Sequence, residues 1–249
     1  MCFNFGLMEY TLITGASSGI GEALAISLSK KSNLLLVGRN SEKLEKVRLK
    51  CYNSDNHKLF ICDLSSERAC LFQQLTALLI RENITIQNMI YSAGITKILP
   101  IKNISVMNID EIFTVNLFSA IEILKTLLKK DNKKSLKNVI FISSLWSIRG
   151  EVGNSIYAAS KGALNALTFS LAKELAPTIR VNSILPGAVK TPMTEMLLDS
   201  EIGQRQLRDY PLGFGECSDI TDYVEFLLSE KARWITGQLI KIDGGRSVL

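Results

Sequence analysis

Short apolar runs alternate with longer stretches of helical period along almost the whole chain, and this constrains the fold more than any other feature. The runs are Thr11–Thr14, Leu34–Val37, Leu59–Cys62, Met89–Tyr91, Val139–Ser143, Arg180–Ile184 and Leu239–Ile242. Between them lie Ile20–Lys30, Ser41–Lys50, Ser66–Arg81, Asn108–Lys130, Ile156–Ala176 and Ile220–Ser229, read as helices. Several runs are apolar throughout, as a strand covered on both faces must be. Strands that alternate with helices join through right-handed crossovers into a parallel sheet. The expectation is an α/β fold: a doubly wound parallel sheet of about seven strands with helices on both faces.

No Pro/Gly/Ser-rich linker, low-complexity run or repeat divides the 249 residues, so one domain spanning 1–249 is expected. A hydrophobic content of 47% permits a sizeable core. The net charge of +5 is modest. Its one dense run, Lys129, Lys130, Lys133, Lys134 and Lys137, fits a helix end and the turn after it rather than a nucleic-acid-binding face. Five scattered cysteines, Cys2, Cys51, Cys62, Cys70 and Cys217, never spaced CxxC, read as reduced thiols, with no disulfide framework and no metal site. Met1 to Met8 lacks the pattern of a secretory signal, and no apolar run reaches membrane-spanning length. A cytoplasmic location without membrane or nucleic-acid partners is expected. The single histidine, His57, follows the polar stretch Asn53–Asn56 and reads as a surface-loop residue. Metal sites and Ser-His-Asp triads draw on histidine, so the chemistry falls to Tyr, Lys, Ser, Asp, Glu or Cys.

A sheet of this kind binds ligands beyond the carboxyl ends of its strands. After the first run comes a turn containing Gly15, Ser17, Ser18, Gly19, Ile20 and Gly21. Three glycines there let the backbone approach a pyrophosphate at a helix N-terminus, although the spacing is GxxxGxG rather than GxGxxG and a tight corner is the other reading. The second run ends Val37-Gly38-Arg39, with no acid before Glu42 to accept from a ribose 2′-hydroxyl. Arg39 can instead pair with a 2′-phosphate, favouring NADP (NADPH) over NAD; the alternative is a solvated arginine. Tyr157 and Lys161 share a helix face at i and i+4. Forming tyrosinate at pH 7 costs about 4 kcal/mol, and a neighbouring ammonium lowers such a pKa by roughly 1–3 units. Tyr157 then suits proton transfer to or from an alkoxide, unless the pair is mere packing.

The glycine turn, Tyr157 with Lys161, Ser143-Ser144 after the fifth run, and Asn116 in a preceding helix together resemble the short-chain dehydrogenase/reductase family, from Thr11 to Gly245. The resemblance implies a Rossmann-type single domain. It also implies a catalytic set in which Ser144 hydrogen-bonds the substrate oxygen, Tyr157 is the acid/base, Lys161 also holds the nicotinamide ribose, and Asn116 organises a water relay. Ser144 is chosen over Ser143 because it stands thirteen residues before Tyr157. By the same resemblance Asp63 and Leu64 contact adenine, Ala93 and Gly94 pass the ribose, and Pro186, Gly187, Val189 and Thr191 hold the carboxamide. Tyr91-Ser92 stands where the family usually has Asn-Asn. The lost hydrogen bonds must be replaced by Ser92 or by water. The segment from Trp234 to Gly245 resembles a tail that builds homotetramers, which makes a homotetramer the expected assembly and a dimer the runner-up.

Within the family the whole-chain pattern is most similar to 3-oxoacyl-[acyl-carrier-protein] reductases and to relatives that reduce other ketones. An NADP(H)-dependent interconversion of a carbonyl and a secondary alcohol is expected, with another free ketone or a sugar-derived carbonyl as the alternative to a 3-oxoacyl group. The substrate is a small molecule, free or carried on an acyl-carrier protein that docks on the lysine run. A lid at 190–215, with Met193, Met196, Leu197, Leu198, Leu207, Tyr210, Leu212 and Phe214, suits an acyl chain or packs as an ordinary amphipathic helix. A non-catalytic dinucleotide-binding regulator is the contrasting possibility. The presence of Asn116, Ser144, Tyr157 and Lys161 favours the enzyme. About 60 residues follow Pro186, too few for the enlarged substrate region of sugar-nucleotide epimerases.

Overall fold

A computed structural model describes residues 8–66, 68–129, 132, 134–195 and 207–248. The strands are β1 (Met8–Thr14), β2 (Asn33–Gly38), β3 (Lys58–Ile61), β4 (Ile84–Tyr91), β5 (Asn138–Ile142), β6 (Arg180–Pro186) and β7 (Leu239–Ile242). The helices that matter below are α1 (Gly19–Leu28), α2 (Ser41–Lys50), α3 (Arg68–Arg81), α4 (Val106–Phe113), α5 (Ser119–Leu127), α6 (Ser155–Glu174) and α7 (Cys217–Leu228). One seven-stranded sheet runs in the order β3-β2-β1-β4-β5-β6-β7. Every pairing is parallel, with Leu12 of β1 opposite both Leu35 and Met89. The chain winds outward from β1 to β3, then crosses back to lay β4 on the other side of β1. That reversal opens a crevice beyond the carboxyl ends of β1 and β4.

Successive strand residues point to opposite faces, so uniformly apolar strands feed two cores. Leu12, Leu35, Met89, Val139 and Phe141 pack with Leu71 and Leu75 of α3, Leu124 of α5 and Leu164 of α6. Ile13, Leu36, Ile90, Ile140 and Ile184 pack with Leu24 of α1, Leu44 of α2 and Val224 of α7. Each such side chain contributes about 1.5–3 kcal/mol by leaving water. Among the described residues no helix is long and apolar enough to cross a membrane.

Three readings of the sequence need correction. His57 is not a surface residue. It is 3% exposed, and its ring accepts from Leu34 N at 3.1 Å while the other nitrogen lies 2.8 Å from Tyr52 O. Asn53, at φ 52°, folds the polar stretch back so that the ring seals the start of β2. The helix expected over Asn108–Lys130 starts earlier, at Val106, where Ser105 and Asn108 form a capping box. It is then broken by a π-helical turn at Thr114–Phe118 and ends at Leu127. Finally, β4 begins five residues before Met89, because Thr85 and Asn88 are polar yet buried.

Of the lysine run, Lys129, Lys134 and Lys137 are exposed, while Lys130 and Lys133 lie outside the described residues. The same holds for Cys2 and for positions 196–206 of the expected lid.

Candidate active site

The crevice is a cleft of about 310 Å³. Every residue assigned above to the dinucleotide lines it: Gly15, Ser17, Ser18, Gly19, Ile20, Gly21, Arg39, Asp63, Leu64, Ala93, Gly94, Tyr157, Lys161, Pro186, Gly187, Val189 and Thr191. Ser144 lines it too, whereas Asn116 lies behind its wall, fully buried.

The glycine turn is shaped by close approach. A Cβ on Gly15, which has φ +65°, would stand 2.9 Å from Ala93 Cα, and one on Gly21 would stand 2.2 Å from Gly15 O. The GxxxGxG spacing thus lets α1 start directly against the end of β1 with no side chain in between. Ser18, the residue before α1, makes no side-chain capping bond, so the helix N-terminus faces the cleft with donors to offer an anion. At Tyr91-Ser92 the backbone is tied to the end of β1. Thr14 Oγ1 accepts from Ser92 N at 3.1 Å and from Ala93 N at 3.0 Å. Tyr91 uses its hydroxyl elsewhere, donating to Val115 O in the π turn.

Arg39 is exposed at one end of the cleft. Beside it, Asp63 Oδ1 accepts from Ser65 N at 2.9 Å and from Ser65 Oγ at 2.7 Å. Those bonds, helped by the Arg39 charge, hold the Asp63 carboxyl below its usual range. At the far wall, a Cβ on Gly187 would meet Asp243 Cα and Tyr210 Cε1, each at 2.9 Å. Tyr210 OH accepts from Ala188 N at 3.0 Å and so braces the Pro186–Val189 segment. That role is missed when Tyr210 is read as lid apolar surface; a tyrosine amid leucines is the available signal, since a buried hydroxyl needs a partner.

Ser144 sits just beyond β5, ahead of a 3-10 turn (Leu145–Ser147), and its Oγ accepts from Trp146 N at 3.2 Å. Ser143 also borders the cleft, but its hydroxyl is engaged by α6, donating to Asn165 Oδ1 at 2.8 Å. Asn116 is held by the π turn. Its Oδ1 accepts from Ile95 N at 2.8 Å, and its Nδ2 reaches Ile95 O at 3.0 Å and Ser160 Oγ at 2.9 Å. Lys161 Nζ donates to Ile142 O at 2.8 Å and lies 5.9 Å from the Tyr157 ring centroid. A Cβ on Gly94 would stand 3.1 Å from that Nζ and 3.5 Å from Asn116 Oδ1, so glycine keeps the ammonium reachable from the cleft.

The electrostatics differ from the sequence expectation. Burial raises the Tyr157 pKa above its usual value, opposed by its hydrogen bond to Ser144. Burial also pushes Lys161 down to about 8. With the ammonium directed at Ile142 O, Tyr157 keeps its proton in the cofactor-free protein. A protonated tyrosine and a serine hydroxyl face one cavity, as donors to an oxygen that gains negative charge.

Residues 9–201 match the family model described as short chain dehydrogenase. The 3-oxoacyl-[acyl-carrier-protein] reductase FabG of Rickettsia prowazekii (strain Madrid E) is 34% identical over 240 residues, covering 94% of this chain and 95% of its own. Carbonyl reductase family member 4 of Xenopus laevis is 32% identical over 239 residues, covering 94% and 95%. Among solved structures, 4-hydroxyisoleucine dehydrogenase complexed with NADH superposes with a TM-score of 0.88 at 29% identity, covering 97% of this chain and 99% of its own.

Proposed function

Because the chain belongs to the short-chain dehydrogenase family, as an oxidoreductase of carbonyls and alcohols, we propose that it uses NADPH to reduce a 3-oxoacyl group, free or on an acyl-carrier protein, to the 3-hydroxy product. The observation that carries this reading is the convergence of Ser144, Tyr157 and Lys161 on the glycine-lined cleft. The cleft suits a dinucleotide: Gly15 and Gly21 let α1 abut β1 so that its free N-terminus faces the pyrophosphate, and Gly94 keeps the Lys161 ammonium reachable from the cleft. Arg39 pairs with the 2′-phosphate.

When bound, the nicotinamide supplies the hydride. Tyr157 donates its proton to the substrate oxygen as charge develops there, and Ser144 turns its O–H from Tyr157 to that oxygen. Lys161 offsets the charge left on Tyr157 after the transfer. Asn116 fixes the loop at Ile95 from behind and anchors α6 through Ser160. Exposed Ile98 and Val152 stand on the loops flanking the pair, joined by Leu99 N to Gly153 O at 2.9 Å, and offer an apolar approach for an acyl chain. The protein acts as a homotetramer, which would cover Trp234 and Phe169, 91% and 50% exposed.

The test follows NADPH oxidation with a 3-oxoacyl-[acyl-carrier protein] and with the free 3-oxoacyl thioester, at low and high salt. A docking lysine patch gives the carrier form the higher kcat/KM, with the advantage falling as salt screens it. Tyr157→Phe should keep NADPH binding and lose most turnover. Near-parent turnover in that variant removes Tyr157 as the acid. No carrier advantage at low salt leaves a reductase of free ketones, in line with the Xenopus carbonyl reductase relative.

A further inference from the structure

Asn165 has no part in the chemistry above, yet it lies one turn beyond Lys161 on the buried face of α6, 5% exposed. An asparagine lowers helix propensity there, and a buried amide must find partners or carry a desolvation penalty. Its partners lie on the loop that carries Ser144. Ser143 Oγ stands 2.8 Å from Asn165 Oδ1, and Asn165 Nδ2 donates to Ser147 Oγ at 2.7 Å. Ser147 Oγ donates in turn to the carbonyl oxygen of Ser144 at 2.5 Å.

Proton counting fixes the direction of this chain. Ser147 has one O–H, directed at Ser144 O, so it must accept from the Asn165 nitrogen. The Asn165 oxygen then faces Ser143, whose O–H points at it; Lys161 O, 3.2 Å from the same hydroxyl, is the more distant acceptor. One amide therefore bridges the hydroxyls that stand one residue before Ser144 and three residues after it.

We propose that Asn165 is a positioning residue for Ser144: its amide fastens the turn that presents the Ser144 hydroxyl to the helix that presents Tyr157 and Lys161. This rests on the reading of Ser144 and Tyr157 as the pair that receives the substrate oxygen. Asn165→Asp keeps the shape but replaces the donor with an acceptor, which competes with Ser144 O for the Ser147 proton. A misplacement near 1 Å at a reacting group lowers rates by about a hundredfold.

The experiment measures acetoacetyl-CoA reduction by NADPH in the parent, Asn165→Asp, Ser144→Ala and the double variant, with NADPH affinity read by nucleotide fluorescence. The expected result is a fall in kcat of about ten- to a hundredfold for Asn165→Asp, with NADPH affinity unchanged. In the Ser144→Ala background the same substitution should lower kcat by no more than about twofold, because its effect passes through Ser144. A single variant with parent kcat overturns the proposal. So does a loss that carries over in full to the Ser144→Ala background, which would mark Asn165 as general support for the helix. If Ser144→Ala alone leaves kcat unchanged, the reading of the site falls, and the proposal with it. Should Asn165→Asp fail to fold, Ser147→Ala removes the link to Ser144 O and carries the same test.

Discussion

Replacing Lys161 with Met should abolish turnover and also change how stability depends on pH. Lys161 is 3% exposed, and burial pushes its ammonium down to about 8. In the unfolded chain a lysine titrates near 10.4, so the gap of about 2.4 units amounts to about 3 kcal/mol against the folded state wherever both forms are charged. Between the two pKa values the unfolded chain binds more protons, so stability rises with pH through that window. The full cost applies at pH 7, and less than about 1 kcal/mol of it remains at pH 10. Lys161→Met carries no such cost at any pH. It does leave Ile142 O without its donor, a penalty that does not vary with pH.

The stability of Lys161→Met relative to the parent should therefore fall by about 2 kcal/mol between pH 7 and pH 10, or roughly 4–8 °C in Tm for a chain of this size. Titrations shared by the two proteins cancel in the difference. Guanidinium unfolding of the cofactor-free proteins at pH 7, 8, 9 and 10 measures it. A difference that stays constant, or that moves in the variant's favour as pH rises, would refute the account of a charged lysine held in a dry site.

Arg39→Asp should weaken NADPH binding by roughly ten- to a hundredfold, the worth of one charge-assisted hydrogen bond, and relatively favour NADH; equal dissociation constants for both cofactors in the parent would sink the assignment. Burial lowers the pKa of His57, so its stabilising neutral form is lost as pH falls through and below 6.5, where the unfolded chain takes up the proton first. Unfolding at pH 7 and pH 5 should show a steeper decline for the parent than for His57→Gln, and parallel declines would return His57 to an unimportant role. Light scattering at micromolar concentrations should report a tetramer, with a species of 27.6 kDa alone rejecting that assembly.

The sheet and the cleft were legible because their signals are local. A run such as Leu34–Val37 is covered on both faces whatever lies elsewhere in the chain, and the cleft residues follow their strands within a few positions. What escaped depends on partners distant in sequence. Asn116 is where the expected helix breaks, but a π turn has no composition of its own. A fully buried asparagine bonded to Ile95 and Ser160 becomes a signal only once the fold brings them together. Thr14 reads as the last residue of a strand, yet its hydroxyl accepts from Ser92 N, 78 positions away, and from Ala93 N. The early part of β4 was hidden for the same reason. Asn88 Nδ2 donates to Thr11 Oγ1 at 3.1 Å, while Asn88 Oδ1 accepts from Asn138 Nδ2 at 2.7 Å. Thr11 Oγ1 lies 2.9 Å from Ser32 Oγ, so a polar chain crosses the amino-terminal edge of the sheet from β5 to the start of β2. A periodicity reading treats each of these polar residues as the end of a strand. Inside the sheet Thr11, Asn88 and Asn138 are strand residues whose cost of burial is offset by a neighbour on the next strand, whereas Thr85 Oγ1 has no hydrogen-bond partner among the described residues.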